Sequence, residues 1–327
     1  MAEVLLNIDD LHIGYRVYKG TLKVLDGIRL VVHTGEKVGV VGETGCGKTT
    51  TMRAVMGILP RQAIIKGGRI TFKGKDIMVC GPQGIRTVRT EGMSMIFQDP
   101  TAALNPVFTV GEQLADVIKY SHVGRGLERR GAQQAITAMS IEALKQTALP
   151  DPQRIITNYP FQLSGGMRQR VCISMALVTA RDLLIADEPT TNLDVTIQDQ
   201  VLRLIKQLVE EKSMSLILVT HSLGVARMMS DRIYVMYAGN IVEAAPTEKV
   251  FGNPLHPYTQ GLLRSVPKLT GEGIGFGIPG RIPDYFNPPA GCRFYPRCDF
   301  RLPECENEKP ELYETDEGHY VACFIHR

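Results

Sequence analysis

The stretch Gly42-Glu43-Thr44-Gly45-Cys46-Gly47-Lys48-Thr49 constrains the fold of this chain more than any other. It follows the apolar run Val38-Gly-Val-Val and precedes residues 48–58, whose pattern predicts a helix. A glycine-rich turn from a buried strand into a helix start is the setting of a phosphate loop. Its glycines let backbone N–H groups curl around phosphate oxygens, and the helix N-terminus adds its positive end. There Lys48 reaches the β- and γ-phosphates and the Thr49 hydroxyl ligates Mg²⁺. A glycine-rich turn with a chance Lys-Thr pair is the bland alternative.

Strand-sized apolar runs recur at Met93-Ser-Met-Ile-Phe97, Leu183-Leu-Ile-Ala186, Leu216-Ile-Leu-Val-Thr220 and Ile233-Tyr-Val-Met-Tyr237, with helical stretches between them. That alternation predicts an α/β fold with a largely parallel sheet covered by helices. Residues 99–180 read as mostly helical, punctuated by Asn105-Pro106, Gly124-Arg-Gly126 and Pro150-Asp-Pro152, and are expected to form a helical insertion. Residues 252–310 are rich in Pro and Gly, including Pro267 and Gly271-Glu-Gly-Ile-Gly, and offer few helix or strand options. The expected division is a nucleotide-binding domain over residues 1–255 and a small irregular extension over 256–327.

The 327 residues contain 44% apolar and 22% charged side chains, which suits an ordinary globular core. Net charge is only +3, so no concentrated basic excess favours nucleic acid. No apolar run approaches the about 18 residues that span a bilayer, and the N-terminus lacks a signal-peptide pattern. The expectation is a cytosolic chain, or one on the cytosolic face of a membrane built by others. Of seven cysteines, Cys292, Cys298, Cys305 and Cys323 crowd the end of the chain. In a cytosolic setting that crowding points to a metal centre before disulfides, and a metal centre would lend cohesion to a segment with little core.

Two further signals carry chemistry. The run ending in Asp187-Glu188 places two carboxylates at a strand end, Asp187 to hold Mg²⁺ and Glu188 to polarise an attacking water. Alone, two acids after a strand equally describe a solvated turn. Leu163-Ser164-Gly165-Gly166-Met-Arg-Gln169 opens a helix with a hydroxyl and bare N–H groups, an anion site or plain capping.

Phosphate loop, L-S-G-G-x-x-Q and Asp-Glu strand, in that order, resemble the motifs of ATP-binding cassette (ABC) ATPases. The resemblance implies an ABC-type core with a helical subdomain and nucleotide contacts from Gly42 through Thr50, from Ser164, Gly165 and Gly166, and from Asp187. It makes Gln98 the Q-loop residue on Mg²⁺, alongside Thr49 and Asp187, and Asn192-Leu-Asp194 the D-loop at a dimer interface. It makes His221 the switch histidine at the γ-phosphate, where a lone histidine after a strand would otherwise read as structural. Tyr15 is the expected adenine-stacking aromatic, with Tyr18 as second choice. Two such cassettes sandwich two ATP molecules, so one chain completes no site alone. Ser222, where many relatives have Asp, and Thr191-Asn192, where Ser/Thr-Ala is commoner, depart from the pattern without removing a catalytic atom. Cys46 replaces a common Ser in the phosphate loop, so inhibition by thiol reagents is expected.

Three stretches narrow the resemblance to oligopeptide and dipeptide permease ATPases: Phe97-Gln-Asp-Pro-Thr-Ala-Ala-Leu-Asn-Pro, His256-Pro-Tyr-Thr-Gln-Gly-Leu-Leu, and Gly291-Cys-Arg-Phe-Tyr-Pro-Arg-Cys298. That branch implies a second, related ATPase subunit in a heterodimer, two membrane-spanning permeases, an extracytoplasmic binding protein and import of peptides. The subunit would lie peripherally on the cytoplasmic face of the inner membrane. Relatives with the same motifs carry nickel, glutathione or short sugar chains; a soluble ABC ATPase or an iron–sulfur factor are the other classes. The four late cysteines resemble those of subunits holding a 4Fe–4S cluster, with zinc or four free thiols as alternatives. Arg293, Arg297 and Arg301 would offset cluster charge, contact a partner or sit solvated.

Overall fold

Strand β1 (Val4–Val17) turns back into β2 (Gly20–His33), and eleven register pairs, from Val4 with His33 to Val17 with Gly20, hold the two antiparallel. The computed structural model describes residues 3–121, 124, 132–191, 193–266 and 277–327. Asn192, Arg125, Gly126, Pro267 and the glycine-rich run at 271–275 therefore lie outside the described residues. The chain divides into two compact units, residues 1–79 with 218–327, and residues 80–217.

In the first unit, β3 (Lys37–Val41) leads through the phosphate loop into α1 (Lys48–Val55). β4 (Ala63–Phe72) and β5 (Lys75–Asp76) then complete an antiparallel sheet in the order β2-β1-β4-β5. Both neighbours of β1 slip in register around Asp9 and Asp10, and Asp10 takes a left-handed φ of 50°. The extra residue of such a bulge bends and twists the strand.

The second unit begins with α2 (Gly81–Gly92) and β6 (Met93–Ile96). The helices α3 (Pro100–Ala103), α4 (Val110–Lys119), α5 (Ala132–Gln146), α6 (Pro152–Ile155) and α7 (Gly165–Thr179) follow. β7 (Leu183–Asp187) pairs in parallel with β6, and α8 (Val195–Glu211) comes next. Thr109 and Glu112 form a reciprocal capping box at the start of α4, satisfying two of its orphan donors. Leu104, Leu114, Leu144 and Leu163 pack with Val110, Val171 and Cys172 in a core of helical residues.

β8 (Ser215–Thr220) carries the chain back to the first unit. There α9 (Leu223–Met229), β9 (Arg232–Tyr237), β10 (Asn240–Pro246), α10 (Thr247–Gly252) and α11 (Pro257–Ser265) follow. β11 (Tyr313–Asp316) and β12 (His319–Val321) close the chain. β9 runs parallel to β3, while β10, β12 and β11 add on antiparallel. Parallel pairing thus occurs where the strand runs predicted it, but each added edge is antiparallel, and the sheet of β1, β2, β4 and β5 has no counterpart in the sequence reading. α11 likewise forms inside the Pro-rich stretch. Pro257 sits in its first turn, where a missing N–H costs nothing, and the His256 ring nitrogen accepts the Tyr258 N–H.

The extension packs onto the core of its own unit. Phe294 and Tyr258 join Val41, Val235 and Tyr237 in one buried cluster, with Cys292 and Cys298 against its side. Tyr237, Tyr258 and Phe294 meet with ring centroids 4.6 to 5.5 Å apart. Beneath them Glu243, fully buried, accepts the backbone N–H groups of Leu255 and His256 at 2.9 Å each and lies 2.8 Å from the His319 ring nitrogen.

Candidate functional site

The phosphate loop leaves β3 at Gly42 in a conformation, φ 155°, that only glycine tolerates beside its neighbours. A Cβ at this position would collide with the Met236 carbonyl oxygen and the Cys46 sulfur. Gly45 and Gly47 are also left-handed, at φ 84° and 108°. The Lys48 ammonium folds back over the loop, donating to the carbonyl oxygens of Gly42 at 2.7 Å and Glu43 at 3.0 Å. Thr44 and Gly45 stay exposed, and Thr49 and Thr50 half-buried.

Cys46 is not a surface thiol. Its side chain is fully buried, and burial pushes the thiol pKa up against the opposing pull of Lys48. A buried protonated thiol is a poor nucleophile, so reagent attack requires the loop to open first. The sulfur fills space in the loop interior.

Tyr15 and His221 share the unit of the loop. The Tyr15 hydroxyl lies 3.3 Å from the Thr50 hydroxyl at the first turn of α1, whereas Tyr18 is wholly solvent-exposed on the β1–β2 turn. Tyr15, unlike Tyr18, therefore lies beside the start of α1. His221 stands exposed immediately after β8, and Ser222 caps α9 by accepting the Val225 N–H at 3.4 Å. Serine there does a capping residue's work.

The second unit gathers the acidic residues. All of β7 is buried, and Asp187 at its end is 2% exposed. Glu188 turns the chain with a left-handed φ of 45°, a strained conformation for a residue with a Cβ. Its Oε2 accepts the Gln98 amide and the Thr191 hydroxyl, each at 3.0 Å. Gln98 and Glu188, singled out separately in the sequence, are thus in direct contact, and the Thr191 contact with the same carboxylate was not expected. At the start of α7, Ser164 accepts the Met167 N–H at 3.3 Å, and Ser164 and Gly165 face outward. A Cβ at Gly165 would meet only Leu193 Cδ2, at 4.0 Å, so a ligand can approach this backbone closely. Behind them Gln169, 1% exposed, donates to the Pro189 carbonyl, tying α7 to the turn after Glu188. Asp194 caps α8 through the Ile197 N–H at 3.0 Å.

The four late cysteines are free thiols in a segment of short backbone turns, with the Cys292 N–H bonded to the Cys305 carbonyl at 2.8 Å. Burial pushes Cys292 up to about 12 and Cys323 to about 11, and each feels neighbouring thiols of the set as well. Cys298 is also raised, by burial first. A soft donor set of this kind suits iron–sulfur or zinc. Yet among the described residues no three His, Cys, Asp or Glu side chains stand together as metal ligands. Of the three arginines, Arg293 bonds the Ala238 carbonyl and lies 3.6 Å from Asp26, while Arg297 pairs with Glu43. Neither of these two is solvated surface.

Solved cassettes share this architecture. The ATP-binding cassette MJ0796, in a post-hydrolysis dimer bound to ADP and Pi, superposes with a TM-score of 0.65 at 24% identity, over 74% of this chain and 99% of that one. CbiO1 from Clostridium perfringens, part of the CbiONQ ABC transporter complex, does so with a TM-score of 0.62 at 26% identity, over 77% and 92%. The family model for ABC transporters matches residues 25–191, and that for the C-terminal region of oligopeptide/dipeptide transporters matches residues 242–305. The dipeptide transport ATP-binding protein DppD of Bacillus subtilis is 42% identical over 99% of this chain and 95% of its own length. The oligopeptide transport ATP-binding protein OppD of Salmonella typhimurium is 40% identical over 99% and 94%. This chain belongs to the ABC transporter family, as an ATP-hydrolysing ATP-binding subunit of the oligopeptide/dipeptide permease branch. No helix among the described residues is long and apolar enough to cross a membrane.

Proposed function

We propose that this subunit drives peptide import by closing against a second, related ATPase beneath two permease subunits fed by an extracytoplasmic binding protein. The observation carrying the proposal is the outward-facing Ser164–Gly165 start of α7 in a chain with a single phosphate loop. An anion-binding helix start needs a phosphate, and in a cassette pair that phosphate belongs to the nucleotide on the partner's loop. Gly42 to Thr50 and Tyr15 would hold one ATP, Thr49, Gln98 and Asp187 its Mg²⁺, Glu188 the attacking water and His221 the γ-phosphate. Asp194 would line the interface, and the helical insertion would pass motion to permease loops. Peptides as cargo rest on the likeness to DppD and OppD; nickel, glutathione and sugar chains are the competing cargoes.

Two measurements test this. Mild-detergent purification of the tagged chain from its own membranes should recover two multispanning proteins and a second cassette ATPase. Recovery of the chain without them refutes the assembly. Glu188→Gln should slow hydrolysis by about 10²–10⁴ while ATP still binds, since it removes the base and keeps the shape. Hydrolysis at the parental rate would remove Glu188 from the mechanism.

Cys292, Cys298, Cys305 and Cys323 are the proposed ligands of a 4Fe–4S cluster, a structural role for which their thiols would have to ionise. Iron with visible sulfur-to-iron absorbance in anaerobically purified protein is the expected result. Zinc without iron would replace the cluster with a tetrahedral zinc centre.

A further inference from the structure

The second residue of the phosphate loop is held from outside, by the far end of the chain. The Glu43 carboxylate receives both arms of the Arg297 guanidinium, at 2.9 and 3.1 Å. The Glu43 N–H donates to the Tyr258 hydroxyl at 2.9 Å, and the Gly45 carbonyl oxygen accepts the Tyr285 hydroxyl at 2.8 Å. Arg297 is itself fixed. Its side chain is only 5% exposed, and it donates to the carbonyls of Pro279 at 2.8 Å and Ile278 at 3.0 Å while lying over the Tyr237 ring. Tyr258 is fully buried.

We propose that Arg297, Tyr258 and Tyr285 are positioning residues that set the nucleotide affinity of the phosphate loop through Glu43 and Gly45, a role that rests on the ATP-binding reading of that loop. A glycine-bearing loop binds phosphate only when its N–H groups converge. Fixing each residue costs about 1–2 kcal/mol of backbone entropy that binding must otherwise supply. A bidentate Arg–carboxylate pair, its guanidinium buried, imposes a distance and a plane. The hydroxyls of Tyr258 and Tyr285 fix the peptide groups at the loop's first turn. Lys48, bonded to the Glu43 carbonyl, is placed by the same constraint. The extension therefore acts on the loop before nucleotide arrives, and equally in ground and transition states. That is uniform binding, which raises KM when lost and leaves kcat in place.

The test uses the full chain. Mg-ATP binding is titrated calorimetrically for the parent, Arg297→Met, Glu43→Gln and the double variant. ATPase kinetics of Arg297→Met follow in the detergent-purified assembly. Arg297→Met should raise Kd about 5- to 30-fold, with KM rising in step and kcat held. The double variant should bind no worse than the weaker single, because both remove one interaction. Arg297→Lys should recover only part of the affinity, since an ammonium cannot span both oxygens. Tyr285→Phe, which removes one hydroxyl and keeps the ring, should raise Kd about 2- to 5-fold by loss of one hydrogen bond. Parental affinity in both Arg297→Met and Tyr285→Phe would overturn the positioning role alone, as would additive losses in the double variant or a fall in kcat at constant KM. A parental chain that bound no ATP would overturn this role together with the ATP-binding reading.

Discussion

Replacing Glu243 by alanine isolates the buried hub that fixes the start of the extension. The carboxylate accepts the Leu255 and His256 N–H groups and faces the His319 ring nitrogen, and no part of it reaches water. Truncation leaves two backbone donors and one ring nitrogen without a partner in a closed space. At about 1–3 kcal/mol for each unmet buried group the loss spans about 3–9 kcal/mol, and water entering the vacated volume holds it near the lower end. For a unit of this size each kcal/mol moves the midpoint by about 2–4 °C, so the expected fall is about 6–15 °C. Differential scanning calorimetry of the full chain reads this directly. Glu243→Gln, which retains one carbonyl oxygen, should fall between parent and alanine variant. A fall below about 2 °C for Glu243→Ala would show that the three donors find other acceptors, and the reasoning from burial would fail.

Cys46 should resist iodoacetamide at pH 8 in the native chain and react fully in guanidinium, read by peptide mass spectrometry; rapid native labelling would contradict a buried, protonated thiol. Asp26 supplies a pH dependence. Burial pulls its pKa upward, but Lys309 and Arg293 outweigh this and hold it below the ordinary 3.8. A carboxyl lowered on folding adds stability that is present above its ordinary value and is lost as pH falls through the lowered one. The stability gap between parent and Asp26→Asn in urea should therefore shrink from pH 6 to pH 3, and an unchanged gap would refute the pairing with Lys309 and Arg293.

The site was legible wherever chemistry needs residues close in sequence. Gly42 to Thr49 must be contiguous to wrap one phosphate, and Asp187-Glu188 must follow a strand to meet it, so one segment betrays each. β7 and β8 showed because every residue in them is buried, giving unbroken apolar runs. β1 hid because its bulge at Asp9 and Asp10 shifts the alternation of buried positions midway, destroying the two-residue period that marks a half-buried strand. Arg297 was visible only as a charge beside cysteines. Its partner lies 254 positions earlier, and nothing local encodes a contact of that span. Cys46 showed its identity but not its depth, which depends on Met236 and the strand that carries it.

The pairing of β12 with β10 bears on how the protein is made. β10 is complete at Pro246, but the strand that covers its free edge, His319–Val321, is made more than seventy residues later. At about 5–20 residues per second, β10 spends several seconds of every synthesis as an open edge, the kind of surface on which nascent chains pair wrongly. Residues 319–321 thus finish a sheet whose strand β3 was made more than two hundred residues earlier, and a chain that lost them would be left with β10 uncovered.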